Sequence, residues 1–322
     1  MALRRGLFAL ALVPLCVLGS ARARAGDNDI VLARLGKINS GPGGAMTVIG
    51  QNLEFRALVS ELGIVFAPRL LTPSDTLGFG GFQLTADLGS TSISSDASYW
   101  RVREGATPAG SMPTLGVFAR KGMWFPVPSI EVGAGIVHLM DSQMFAAQGY
   151  AKLGLHEGYH DLPLPSFAVR GAASRLMGQR ELDLTTASLD LSVSKHFGIG
   201  GTWSIDPFAG WNLLWMVPRS QVIDATPNID PLAMGNQEDS KLNFVFKDQV
   251  DIIRQRVFVG AKLQYYVFQM TLEADFALAG SSVDDRAGTD MKCTVDSNTT
   301  SCDSPDTSKM QKTYLMSIGM DF

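Results

Sequence analysis

The chain has 322 residues, of which 46% are hydrophobic, 18% are charged and 33 are glycine, with a formal net charge of −4 at pH 7. That length allows one large domain or two ordinary ones. The acidic balance excludes nucleic acid as a partner, because phosphate binding requires a basic surface, and after residue 20 no apolar run reaches the roughly 18 residues that a spanning helix needs.

Residues 1–25 read as an export signal. Arg4 and Arg5 precede the short apolar run 6–18, and Ala23-Arg24-Ala25 follows as an A-x-A cleavage site. Leu15 before Cys16 is not the small residue of a lipoprotein site. Removing the segment takes away four Arg and no acid, which leaves 23 Lys+Arg against 31 Asp+Glu and a net charge of −8.

Residues 26–50 are Gly-rich, with Gly41-Pro42-Gly43-Gly44, and are expected to form a linker or mobile arm. In residues 51–76, Leu53, Leu58, Val59 and Leu62 alternate with Glu54, Arg56 and Glu61, the spacing of a short amphipathic helix. That helix is expected either beneath a barrel in the periplasm or inside it as a plug.

From Leu77 onward the period becomes two. Phe82, Leu84, Ala86 and Leu88 alternate with Gln83, Thr85 and Asp87, and the same alternation recurs over 114–125, 130–138, 144–155, 166–175, 187–194, 203–215, 254–267 and 270–278. Apolar positions set singly along spanning-length segments are the pattern of a transmembrane barrel, whose residues face lipid and lumen in turn. The last segment carries Tyr314, Met316, Ile318, Met320 and the terminal Phe322 at every second position. It resembles the C-terminal strand of bacterial outer-membrane proteins, whose final aromatic and alternating apolar residues are read by the barrel-insertion machinery. That resemblance implies an outer-membrane location, with lipid and the insertion machinery as partners.

Barrel strands need about 9–11 residues to cross, with short periplasmic turns and long outer loops. Placing Phe322 at the periplasmic end makes 90–112, 218–250 and 281–311 outer loops. The fold class is therefore all-β: a closed antiparallel barrel of about ten strands over 77–322, or twelve if 95–104 or 241–249 forms a further hairpin, preceded by a short helical or plug-like arm. Long-chain fatty-acid transporters also place an N-terminal segment in the lumen; the similarity is one of arrangement alone.

The lumen-facing set is polar and mixed in sign: Arg120, Lys152, Arg170, Arg254, Arg256 and Lys262 against Glu131, Asp190, Asp206, Glu273 and Asp275. Cross-strand ion pairs are expected where Arg254, Arg256 and Lys262 meet Glu273 and Asp275. Such charges either pair structurally in a narrow wet core or mark a permeation path. Cys293 and Cys302, an even pair in an oxidising compartment, read as a disulfide closing a loop of about ten residues.

His156-Glu157-Gly158-Tyr159-His160 fits H-E-x-x-H, which holds Zn²⁺ when both His share one helix face. A strand runs into it, Gly158 sits within it and Pro163 and Pro165 follow, so a turn without metal is expected. His138 near Asp141 and Ser142 is a faint trace of hydrolase chemistry, and no cofactor motif is present. Trp203, Trp211 and Trp215, with Trp124, Phe125, Tyr265 and Tyr314, suit aromatic girdles. The functional expectation is a channel or transport barrel for small solutes or hydrophobic molecules. The alternatives are a non-conducting barrel acting through its outer loops and, more remotely, an outer-membrane hydrolase.

Overall fold

A computed structural model describes residues 26–40, 46–105, 109–123, 129–158, 164–227, 229, 242–284, 292–296 and 299–322, with backbone alone over 292–304. In chain order, a 3-10 turn at Leu32–Leu35 leads into the hairpin β1 (Gly36–Ser40) and β2 (Met46–Gly50) and the helix α1 (Asn52–Val65). Then come β3 (Phe82–Ser92), β4 (Ser111–Met123), β5 (Ile130–Leu139), β6 (Phe145–His156), β7 (Ser166–Met177) and β8 (Leu182–Ser194). The short β9 (Phe197–Ile199) precedes β10 (Trp203–Ser220), β11 (Ile252–Tyr265) and β12 (Phe268–Ala277). Finally β13 (Val283–Asp284), β14 (Lys292–Asp296) and β15 (Thr299–Pro305) form a small sheet in a loop before β16 (Gln311–Asp321).

Ten strands close the barrel. Each pairs antiparallel with its neighbour, β8 with β10 and β10 with β11, and β16 returns to β3 with Met316 opposite Leu88. Closure satisfies every wall strand on both sides, the condition for crossing a bilayer in strands. The period-two pattern explains the faces. Leu84, Leu88, Val117, Ile136, Leu191, Val259 and Ile318 lie exposed on the outside, while Thr85, Asp87, Arg120, Asp190 and Thr271 are buried within. An exterior belt of exposed aliphatic side chains is lipid-facing surface.

Two interior aromatics depend on glycines directly across the ladder. Phe208 pairs with Gly260 and Phe258 with Gly210. A Cβ on either glycine would come within 2.4 Å of the facing ring. The missing side chains let the two rings lie across the neighbouring strand.

The wall has two unlike ends. One, the turn end, carries Phe322, Tyr266–Val267 and the turn 195–202; the other, the loop end, carries, among the described residues, 93–105, 221–227, 242–251, 278–284 and 305–310. At the loop end the turns 140–144 and 178–181 leave a low rim. Residues 26–35 pack onto it: the Asn28 N–H donates to the Asp141 carbonyl (3.0 Å) and the Leu32 N–H to Glu181 (2.9 Å). Residues 26–50 thus depart from the expected linker. Ile30, Leu32 and Leu35 are buried against the cap, and residues 36–40 pair with 46–50, while the stretch Gly41-Pro42-Gly43-Gly44 lies outside the described residues. The twelve-strand alternative is not realised. Residues 98–102 form a 3-10 turn, and among the described residues 242–249 contribute a single bridge, Ile223 to Phe244. Both segments bury apolar groups, Trp100 and Val102 or Phe244 and Phe246, instead of alternating against lipid.

The largest hydrophobic cluster sits inside the loop end. Phe55, Leu58, Val59 and Leu62 of α1 pack against the inward ends of the wall, Leu184, Leu214, Met216 and Ile252, and against Phe246 of the loop above. Phe55 stacks on Phe246 at 4.3 Å. The helix stops where Pro68 forbids another turn. Unlike an ordinary amphipathic helix, it is buried all round: Arg56, Ser60 and Glu61 are as inaccessible as the leucines.

Candidate functional site

Residues 66–77 leave α1 in an extended path and run down the lumen from the loop end to the turn end. The chain there has Pro at 68 and 73 and no period, so its backbone groups have no ladder to join and must find side-chain partners. The wall supplies them. Gln148 Nε2 donates to the Phe66 and Ala67 carbonyls (3.2 and 3.1 Å), and Ser174 also donates to Phe66 (2.7 Å). Arg256 donates to the Pro68 carbonyl (3.0 Å), Arg170 to Arg69 and Leu70 (2.9 and 3.1 Å), and Lys152 to Pro73 and Asp75 (3.1 and 2.9 Å). In the other sense, the Arg69 N–H reaches Gln148 (3.0 Å), the Leu71 N–H Glu273 (2.7 Å), and the Leu77 N–H Glu131 (3.1 Å).

Every charged residue singled out in the lumen-facing set is buried. Arg170 pairs with Asp190 (2.5 Å), Lys152 with Glu131 (3.2 Å) and Arg256 with Asp275 (3.4 Å). Arg120 donates to Gln83 and lies 5.7 Å over the Phe118 ring. Two expected cross-strand pairs are replaced. Lys262 bonds Asp321 of β16 (2.7 Å) instead of β12, because it lies near the turn end while Glu273 lies higher. Arg254, at the loop end, donates to Ser60 of α1 (3.0 Å) and Ser308 (2.7 Å). Asp206 meets His196 at 2.6 Å.

Several residues that do most of the holding escaped sequence reasoning. Glu61 is the centre of the cap. Its carboxylate accepts from the Ser94 N–H and hydroxyl, the Tyr99 hydroxyl and the Trp100 indole (3.0, 2.7, 2.7 and 2.7 Å), and from the Lys309 N–H at 3.3 Å. Burial, then the Glu61 hydrogen bond, pushes the Tyr99 phenol well above its ordinary value. Arg56 binds the Val250 and Asp251 carbonyls (2.8 and 3.2 Å). One helix therefore organises three loops. The available signal was the pair Arg56 and Glu61, charged residues set among Phe55, Leu58, Val59 and Leu62 in one helix.

Glu157 of the H-E-x-x-H stretch accepts from the Thr76 N–H (2.9 Å) and Ser129 hydroxyl (2.9 Å), so it pins the lower end of the plug. His160 lies outside the described residues, and among those described no group of His, Cys, Asp and Glu is arranged to hold a metal. His138 is exposed on the wall, and the Ser142 hydroxyl donates to Asp29 (2.6 Å). The side chains of Cys293 and Cys302, and Trp124 and Phe125, also lie outside the described residues. Tyr314, Ile318, Met320 and Phe322 are exposed on the lipid side with Met316 partly so. At the turn end Trp203 lies 4.4 Å from Tyr265.

Below the plug a cavity of about 600 Å³ opens at the turn end. Leu71 and Pro73 form its roof, and Gln83, Asp206, Lys262 and Gln269 line its sides.

No family model and no curated protein matches the chain. Solved structures similar to it include Neisserial surface protein A (11% identity, 76% of this chain and 99% of that one, TM-score 0.28). OprG from Pseudomonas aeruginosa is similar at 12% identity (78% and 99%, TM-score 0.28), and the transport unit of the autotransporter AIDA-I from Escherichia coli at 9% (84% and 99%, TM-score 0.32). These are likenesses in outline, and the closure of the wall and its apolar belt stand on the chain's own geometry. A closed antiparallel barrel, apolar outside and polar inside, is an outer-membrane-type transmembrane β-barrel.

Proposed function

We propose that the protein is a sealed surface barrel. It carries its own N-terminal segment through the lumen, keeps no open pore at rest, and acts through the cap that this segment builds with the outer loops. The carrying observation is the use of the lumenal charges. Arg170, Arg256, Lys152 and Glu273 bond the backbone of residues 68–75 and not a free water path. The loop end then faces outwards, and no catalytic role is assigned. A second reading, gated passage of small solutes, is favoured by the turn-end cavity that leads up to Leu71.

The test is conductance in planar bilayers of residues 26–322 beside a chain lacking 26–76, with heat-modifiable gel mobility to verify folding. The full chain is expected to stay silent and the truncated one to conduct. Steady conductance by the full chain would overturn the sealed reading. Silence from a folded truncated barrel would remove the plug's role in the seal.

A further inference from the structure

The cavity at the turn end is lined by charges that do not hold the plug. Asp206 of β10 stands directly opposite Lys262 of β11 in the ladder, and both are buried residues that line the cavity. Opposite charges so placed attract each other across the strands. These two turn away. Lys262 reaches Asp321 (2.7 Å), and Asp206 reaches His196 (2.6 Å), whose side chain is 57% exposed. Gln269 of β12 lies beside them, two residues nearer the turn end than Thr271, the ladder partner of Lys262.

Each of the three keeps bonding capacity that nothing in the barrel uses. One Asp206 oxygen meets His196, and the other has no partner among the described residues. The Gln269 carbonyl accepts from Gln83 (2.9 Å); its amide nitrogen has no such partner, although the residue is only 4% exposed. The Lys262 ammonium has three N–H groups and uses one, on Asp321.

Buried polar groups are as a rule satisfied, and a charge withdrawn from bulk water needs a counter-charge or hydrogen bonds. Here an acceptor lies on one side and a cluster of donors, one of them cationic, on the other. An organic cation would answer Asp206 and leave the donors. An anion would answer the donors and face Asp206. A polyol would bring charge to neither. A zwitterion answers both. Neighbouring strands lie about 4.8 Å apart, so the two charges suit an ammonium and a carboxylate carried on one carbon. Leu71 and Pro73 above and Leu77 beside them offer apolar surface to a side chain. The volume of about 600 Å³ falls within the roughly 300–1,000 Å³ of small-molecule sites.

We propose that the turn-end cavity binds a free α-amino acid with an apolar side chain. Its ammonium bonds Asp206, its carboxylate lies between Lys262 and Gln269, and its side chain packs under Leu71 and Pro73. Binding requires no movement of the plug, so the inference stands apart from the sealed reading.

The probe is tritiated L-leucine, in equilibrium dialysis against residues 26–322 in lipid nanodiscs, with empty nanodiscs as the blank. Its competitors are 3-methylbutylamine, which lacks the carboxylate, 4-methylpentanoate, which lacks the ammonium, and glucose. Leucine is expected to bind saturably, and each competitor at least tenfold more weakly. Asp206→Asn should weaken leucine at least tenfold and Gln269→Leu severalfold, both with native heat-modifiable gel mobility. No saturable binding of leucine would overturn the site. The amine, the acid or glucose competing as well as leucine would overturn the zwitterion in favour of an organic cation, an anion or a polyol. Undiminished binding by both folded variants would place the ligand elsewhere and overturn the assignment. The competitor series uses the parent chain alone, so it decides even where a variant fails to fold. Conductance of the same protein in planar bilayers reports separately on the sealed reading.

Discussion

Removing the Glu61 carboxylate should release the loop 93–105 from the barrel without opening the wall. Five donors converge on that carboxylate, four of them within 3.0 Å, and the side chain is fully buried. A hydrogen bond to a charged acceptor contributes about 1.5–3 kcal/mol, and leaving a buried donor unpaired costs about as much. The five do not add, because an undocked loop returns its donors to water. A loss of about 3–4 kcal/mol is the expectation for Glu61→Ala, near the low end for breaking a buried charged contact. At about 1.4 kcal/mol per decade that is a 10²- to 10³-fold fall in the docked population. Hydrogen exchange of the amides at Tyr99–Val102 reads it directly, with β11 amides as the internal standard. Glu61→Gln, which keeps an acceptor, should lose less. Protection within about threefold of the parent, or a loss shared equally by the wall strands, would refute the assignment of Glu61 as the loop anchor.

Gly260→Val should destabilise the barrel by about 1–3 kcal/mol through overpacking against Phe208, and Phe208→Leu in the same chain should recover part of it; urea unfolding in micelles measures both. Burial, opposed by the Leu32 amide, raises the Glu181 carboxyl above its ordinary value. A raised carboxyl favours the folded cap below its ordinary value and withdraws that support as pH climbs through the raised one. Exchange protection of the Leu32 amide should therefore fall as pH rises above the ordinary glutamate value of about 4.3, and Glu181→Gln should flatten the slope. Protection that rises over the same range would contradict it.

The wall was legible because a barrel strand repeats its environment every second residue. Leu189 and Leu191 outside and Asp190 inside can be read from spacing alone. The plug was not legible in the same way. Residues 66–77 have no ladder and no period, and what holds them are donors on β6, β7 and β11 that look like ordinary lumen polarity until the path of the chain is known. The helix was readable, but its surroundings were not: a polar lumen and polar loops bury Arg56 and Glu61 as effectively as an oily core buries Leu58. Ile30, Leu32 and Leu35 were hidden by the glycines that follow them, which suggested slack chain where residues 36–40 and 46–50 in fact pair as strands.

The first and last wall strands meet at the β3–β16 seam, and the segment just before β3 already lies through the middle of the ring. That order constrains biogenesis. The ring cannot be finished until β16 arrives, and once it has, a chain with a folded hairpin and helix at one end and a wall strand at the other can no longer be threaded. The N-terminal segment must therefore be in place, or passing outwards, while the seam is still open. Assembly is then a sheet curling around the chain's own N-terminal segment, and a substitution that delays the descent of residues 66–77 should register as an assembly defect before it registers as a loss of stability.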